Sequence, residues 1–266
     1  MNRPSVLSID TSLLLKYNAL AMRYELRKDF NVTYSQIDRW LAMDMVSAVS
    51  MVQEINTEYF KSFKCDNITC KERDNALWVI TKTRLHFVQA PKWGAELHCV
   101  TGTIKSVGYK TELDTAFKCG EDLSIVARQE LFVIDATTRE PRRIDTLQYP
   151  ADMEYVPETL PLKFFRIKEE LGEENLVYKD HFRLTDIDFS NHVNNVVYVR
   201  YALNALTPEF FESRRIVDFE IQYRHECYEG HELGVYRKDI DGNTTDIQIK
   251  SDGNIAIDVR IVHESC

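Results

Sequence analysis

The chain predicts an α+β protein in which a helix is followed by an antiparallel meander of strands, an order that occurs twice. Three observations carry this reading. Leu41, Met45, Ala48, Val52, Ile55 and Tyr59 recur at steps of four and three, an amphipathic stripe within a helical pattern running from Ser35 to about Phe63. Strand-like runs follow that helix, and others follow a second segment at Asn191–Leu206. Asp241-Gly242-Asn243 and Asp252-Gly253-Asn254 mark hairpins, because Asp-Gly suits the positive φ values of tight turns.

Taken in order, the first half opens with a short strand from Tyr24 to Val32 and continues into the helix. Strands are predicted over Ala76–Val88, Leu97–Val107, Tyr109–Phe117 and Leu123–Asp135, with Cys119-Gly120-Glu121-Asp122 as the turn before the last. The second half repeats the plan: a strand at His181–Phe189, the second segment, then strands at Ile216–Cys227, Glu232–Arg237, Thr245–Lys250 and Ile255–Val262. The prolines and charges from Glu140 to about Tyr178 read as a linker. Two domains, 1–145 and 179–266, are therefore expected on either side of a linker at 146–178. The second segment is ambiguous on residues alone. Val193, Val196, Val197, Tyr198, Val199 and Tyr201 have the composition of a strand.

With 266 residues, 44% hydrophobic and 28% charged, the composition is that of a globular protein. A net charge of −9 argues against nucleic acid as a partner, since phosphate binding needs a basic face. No apolar run approaches the ~20 residues of a membrane span. Asp10 and Lys16 bracket Leu13-Leu14-Leu15, so residues 1–22 read neither as a signal peptide nor as a transit peptide, and a bacterial cytoplasmic protein is expected. The six cysteines lack metal-knuckle spacing and read as reduced, mostly buried thiols.

The chemistry concentrates in Asp186-Ile187-Asp188-Phe189-Ser190-Asn191-His192-Val193-Asn194-Asn195, which puts carboxylates, a hydroxyl, amides and a histidine in one short span. Apolar residues alternate up to Ser190, as in a strand. Ser190 or Asn191 could then cap a helix, leaving His192 in its first turn near free backbone N–H groups. Such a histidine suits acid–base work on a carbonyl. A hydrogen-bonded structural histidine is the plain alternative.

The span resembles the signature Asp-x-Asp-x-Asn-x-His-Val-Asn-Asn of the acyl-acyl-carrier-protein thioesterases, with Ser190 where that family has Asn. Tyr223-Arg224-His225-Glu226-Cys227 resembles its Tyr-Arg-Arg-Glu-Cys segment. Leu77–Thr81, Pro91-Lys92-Trp93-Gly94 and Thr138-Arg139 through Ile144 resemble further segments in the family's order. The resemblance implies two tandem hot-dog domains, each a long helix wrapped by an antiparallel sheet, and so favours a helix at Asn191–Leu206. It also implies hydrolysis of fatty acyl thioesters of acyl carrier protein. The carrier bearing its acyl chain would be the partner, with no metal or cofactor, in a monomer or homodimer. Acyl-coenzyme A hydrolysis and a non-catalytic acyl-binding module are the competing readings.

Asp188, His192 and Glu226 are the expected catalytic residues, with Ser190 and Asn191 competing for the role of the family's Asn. Cys227 is the alternative nucleophile. On a regular strand Glu226 and Cys227 face opposite sides; Cys227 shares parity with apolar Val217, Phe219, Ile221 and Tyr223, which favours Glu226 as base. The acyl chain is placed along Met43, Met45 and Met51 against Trp78 and Trp93, where ordinary core is the competing reading. Arg139, Arg142, Arg143, Lys163 and Arg166 are candidate cations for an acidic carrier.

Overall fold

The computed structural model describes residues 25–150, 152–167 and 169–266. The expectations for residues 1–22, and the start of the first strand at Tyr24, lie outside them. Ten strands form one antiparallel sheet. The first half supplies β1 (Leu26–Asn31), β2 (Ala76–Phe87), β3 (Glu96–Val107), β4 (Lys110–Cys119) and β5 (Asp122–Asp135). The second supplies β6 (Leu176–His181), β7 (Arg214–Tyr223), β8 (Glu232–Asp239), β9 (Thr244–Ser251) and β10 (Asn254–Ser265). Their order is β1-β3-β4-β5-β2-β7-β10-β9-β8-β6. The halves are thus reversed copies joined at a β2–β7 seam, which runs only from Lys82↔Gln222 to His86↔Asp218.

Helix α1 (Met45–Ser62) and helix α3 (Asn195–Leu203) lie together on one face of this sheet. Val52 and Ile55 of α1, Val199 and Ala202 of α3, and Leu85, Phe219 and Ile221 of the seam strands share one buried cluster. No separate core divides the halves at the seam. A second cluster around Tyr59, Phe60, Trp78 and Leu131 extends the first half outward, with Phe60 stacked on Trp78 at 4.8 Å.

Several boundaries differ from expectation, each for a local reason. The first helix begins at Met45 rather than Ser35, because Asp44 caps it by accepting from Ser47 N at 2.8 Å, and Leu41 before it is left-handed (φ 56°). Only a 3-10 turn at Tyr34–Gln36 precedes it. The strand expected at His181–Phe189 ends as β6 at His181, and residues 182–194 form a loop. Asn194, not Ser190 or Asn191, caps α3 through Val196 N at 2.9 Å, so His192 precedes the helix rather than sitting in its first turn. Helix wins over strand composition there because Tyr198, Val199, Tyr201 and Ala202 are all buried.

Two short helices escaped the sequence reading: α2 (Asn67–Asp74), capped by Asp66, and α4 (Pro208–Ser213), capped by Thr207 with proline at its start. Strand β7 stops at Tyr223, so residues 224–227 leave the sheet. Asp252 (φ 50°) and Gly253 (φ 78°) form the expected tight turn. Gly242 lacks a positive φ; Asp241 instead accepts from Asn243 N, and Ile240 N bonds Thr244 O across a wider turn.

The segment joining the halves is a strap laid across the outer face of the sheet. Its backbone groups pair with polar side chains buried beneath it. Thr159 N donates to Asp114, Leu160 and Leu162 carbonyls accept from Arg128, Phe165 N donates to Glu220, and Leu171 N donates to Gln248. The strap thereby crosses β4, β5, β7 and β9. Burial raises the Glu220 carboxyl to about 7, opposed by hydrogen bonds from Phe165 N and Gln222 and by the charges of Arg84 and Lys82. Because that value exceeds the ordinary 4.5, the native state binds the proton more tightly than the unfolded chain does. The contribution of Glu220 to stability is then greatest below pH 4.5 and falls as pH rises through about 7. Glu220→Gln should stabilise the protein at pH 8 by on the order of 2–3 kcal/mol and change little at pH 4.5. Denaturant midpoints at the two pH values check this, and equal shifts would refute it.

Candidate active site

The seam determines where a crevice opens. Beyond Lys82↔Gln222 the two strands part, and Leu77–Thr81 of β2 face Tyr223–Glu226 across a cavity of about 680 Å³. The far half of α1 (Gln53, Asn56, Phe60), Ile68 of α2 and Gln129 and Leu131 of β5 complete its first-half wall. The loop from Asp188 to Asn195 closes the other side.

The loop is held by its own hydrogen bonds. Asp188 N donates to His192 O, Asn191 N to Asp188 O, Asn194 N to Asp186 O and Val193 N to Cys227 O, all between 2.9 and 3.0 Å. Asn191 sits at the turn with φ 63°, exposed, a conformation asparagine tolerates. Buried Asp186 accepts from Arg183 N, Arg200 and the Tyr201 hydroxyl, tying the loop to α3.

Ser190 bridges Asp188 and His192. Its hydroxyl donates to Asp188 Oδ1 at 2.5 Å and lies 3.0 Å from His192 Nδ1. A hydroxyl has one proton, and the shorter contact takes it, so the oxygen accepts from Nδ1–H. His192 Nε2 is then the nitrogen facing Glu226 Oε2, at 3.1 Å. Two acceptors this close share a proton. The other carboxylate oxygen of Glu226 accepts from Arg139. Asp188, Ser190, His192, Glu226 and Arg139 therefore form one continuous chain of contacts.

Burial and the Arg139 guanidinium lower the His192 pKa from its ordinary value, while Asp188 opposes them. Arg139 also competes with the imidazole for the Glu226 carboxylate. Cys227 lies outside the chain. It is 1% exposed, its thiol is pushed up by burial, and its side chain lies against the Tyr198 hydroxyl rather than His192.

The remaining expected positions separate. Trp78 lines the crevice. Met43 and Met45 do not; they lie at the opposite end of α1 and line a different cavity. Met51 is buried in the main core, and Trp93 is exposed, packed edge-on against Tyr34 at 6.0 Å. The expected methionine face of α1 is thus replaced by its last turns. Among the basic residues, Arg139 enters the crevice, Arg142 donates to Asp74 O and Thr146, and Arg143 pairs with Asp145. Lys163 and Arg166 are exposed on the strap. The inward turn of Arg139 was hidden in sequence, where it stood among other cations; its left-handed backbone (φ 64°) after β5 aims it. Replacing Arg139 with Ala removes a positive neighbour and frees Glu226, so the His192 pKa should rise. A ring-proton NMR titration measures it, and a fall would contradict this electrostatic account.

Comparison with known proteins gives the chain a family. The sequence model of the acyl-ACP thioesterase N-terminal domain matches residues 23–146, and that of the C-terminal domain matches 169–264. A dodecanoyl-[acyl-carrier-protein] hydrolase of Cinnamomum camphora is 26% identical over 218 residues, 76% of this chain. The chain spans 56% of that relative's length, about half. An acyl-ACP thioesterase from Bacteroides thetaiotaomicron superposes with a TM-score of 0.83 at 18% identity, over 92% of this chain and 99% of that one. A 12:0-ACP thioesterase from Umbellularia californica gives 0.78 at 16% identity, over 91% and 98%. The two solved structures share the double hot-dog fold of this chain, and the chain belongs to the acyl-ACP thioesterase family.

Proposed function

We propose that the chain hydrolyses fatty acyl thioesters of acyl carrier protein, releasing fatty acid and carrier and so ending chain growth. The observation that carries this is the His192–Glu226 contact at one side of a cavity whose other wall sets apolar Phe60, Leu77, Trp78 and Leu131 beside polar Gln53, Asn56 and Gln129. In this reading the first domain (1–145) holds the acyl chain, the second (179–266) supplies the chemistry, and 146–178 joins them.

A water taking its place beside Glu226 gives a proton to the carboxylate as its oxygen attacks the thioester carbon. The tetrahedral intermediate collapses, the carbon–sulfur bond breaks, and the leaving sulfur takes the proton of His192 Nε2. Glu226 then returns its proton to Nε2, which resets the site, and the acid product loses its own proton to solvent. The lowered His192 pKa makes Nε2–H a readier donor to sulfur. Ser190 and Asp188 hold the ring with Nδ1–H turned away from substrate, so Nε2 faces it. Arg139 keeps Glu226 aimed across the crevice. A covalent acyl-enzyme on Cys227 would require a buried thiol to reach the crevice past Tyr198.

The carrier would dock at the mouth, where Phe189 stands 73% exposed, and Lys163 and Arg166, exposed on the strap over the outer face of the sheet, are candidate electrostatic partners for its acidic surface.

Thiol release from an acyl-carrier substrate separates the mechanisms. Glu226→Ala and His192→Ala should each lower kcat by about 10²–10⁴-fold. Cys227→Ala should retain most turnover, and the reverse pattern would establish the acyl-enzyme route. Docking through charge predicts that rising salt weakens activity on the carrier substrate but not on a short acyl-pantetheine thioester. An equal response of both substrates would remove the electrostatic docking site.

A further inference from the structure

The loop that positions His192 has a twin in the first half. Asp38 N donates to Ala42 O, Leu41 N to Asp38 O, Asp44 N to Gln36 O and Met43 N to Pro91 O, the same four bonds in the same order. Bridges Ile37↔Met43 and Ile187↔Val193 match, as do the left-handed residues Leu41 and Asn191 and the caps Asp44 and Asn194. Asp38 thus stands where Asp188 does, Trp40 for Ser190 and Ala42 for His192. Since Met43 N meets Pro91 O as Val193 N meets Cys227 O, Ala90 stands for Glu226. Both proton-transfer positions are alanine.

The seam makes the twin complete. It has five residue pairs, and past its other end, His86↔Asp218, the strands part again. There Phe87–Ala90 face Arg214–Val217 across a second cavity of about 710 Å³. Leu203 at the end of α3 and Phe211 in α4 stand where α1 walls the first crevice, and the loop from Asp38 into the start of α1 closes the other side. Both volumes fall in the range of about 300–1,000 Å³ usual for ligand pockets. The lining is apolar at Met43, Met45, Phe87, Ala90, Leu203 and Ile216.

At the rim, Lys92 has no carboxylate partner among the described residues; its ammonium donates only to Trp40 O, at 3.2 Å. Arg39 reaches Glu212 only at 3.9 Å, between two largely exposed side chains. Of the other acids in the lining, Asp44 caps α1, Asp38 accepts from Trp40 N and Ala42 N, and Glu264 pairs with Arg215, which leaves Glu212 as the acid facing Arg39. An anionic or carbonyl end group would thus meet cations, and the chain behind it would meet an apolar wall.

We propose that this second crevice binds a fatty acyl chain without hydrolysing it, the polar end lying at Lys92 and Arg39. The crevice rests on its own geometry; the choice of ligand rests on the reading of the His192 crevice as an acyl site. The source of the chain is a free fatty acid or an acyl thioester, and the shared chemistry is the alkyl chain with an oxygen-bearing end.

Equilibrium dialysis of the full chain with radiolabelled palmitate tests it. Wild type should bind two equivalents. Ala90→Phe, which fills the crevice, should bind one and keep its thioesterase activity. Val88→Trp offers the same block from an exposed position should Ala90→Phe fail to fold. One equivalent in wild type, or two in the folded blocked variants, would overturn the proposal. A non-hydrolysable thioether analogue of palmitoyl-pantetheine identifies the source. Displacing both palmitates supports a tethered acyl chain, and displacing only one supports the free acid. Failure of the catalytic reading shows separately, as turnover that survives His192→Ala.

Discussion

The shortness of the β2–β7 pairing organises the molecule. Five residue pairs are enough to make one sheet of two halves, and few enough to leave both strands free at each end. Where they separate, the inner face opens between walls that belong to different halves. A longer seam would close both cavities with backbone hydrogen bonds. A missing seam would leave each half with an exposed strand edge and no opposing wall.

That arrangement explains how weakly catalytic-looking parts combine. Ser190, Asp188 and His192 come from one self-bonded loop, so their mutual geometry is local. Glu226 comes from the segment that follows β7, tied to the loop by the bond from Val193 N to Cys227 O and by its own contact with His192. Arg139 comes from the far side of the seam, after β5. The chain of contacts therefore reports whether the halves are in register: a slip along β2–β7 would carry Arg139 away from Glu226 while leaving the loop intact.

The strands of the meanders were legible in sequence because alternation, turns and burial coincide there. Cys227 is buried and Glu226 reaches the crevice, but strand parity does not account for it, because residues 224–227 leave the regular strand. The loops before the two long helices were not legible. Their apolar residues fit helical or strand spacing, and only Asp44 and Asn194 as caps, with Leu41 and Asn191 left-handed, show where helix begins. Arg139 could not be singled out, because charge in sequence carries no direction. The buried polar row under the strap was equally hidden. Glu220 and Gln222 read as the outer polar face of a strand, and only the return of the strap covers them.

Joining both halves in one polypeptide has a genetic consequence. Were the same architecture assembled from two identical subunits, every substitution would strike both crevices, so chemistry could not be removed from one without destroying the other. Covalent tandem arrangement lifts that symmetry. His192 and Glu226 on one side answer to Ala42 and Ala90 on the other, a divergence available only to a gene that carries two copies of the unit and can edit each alone.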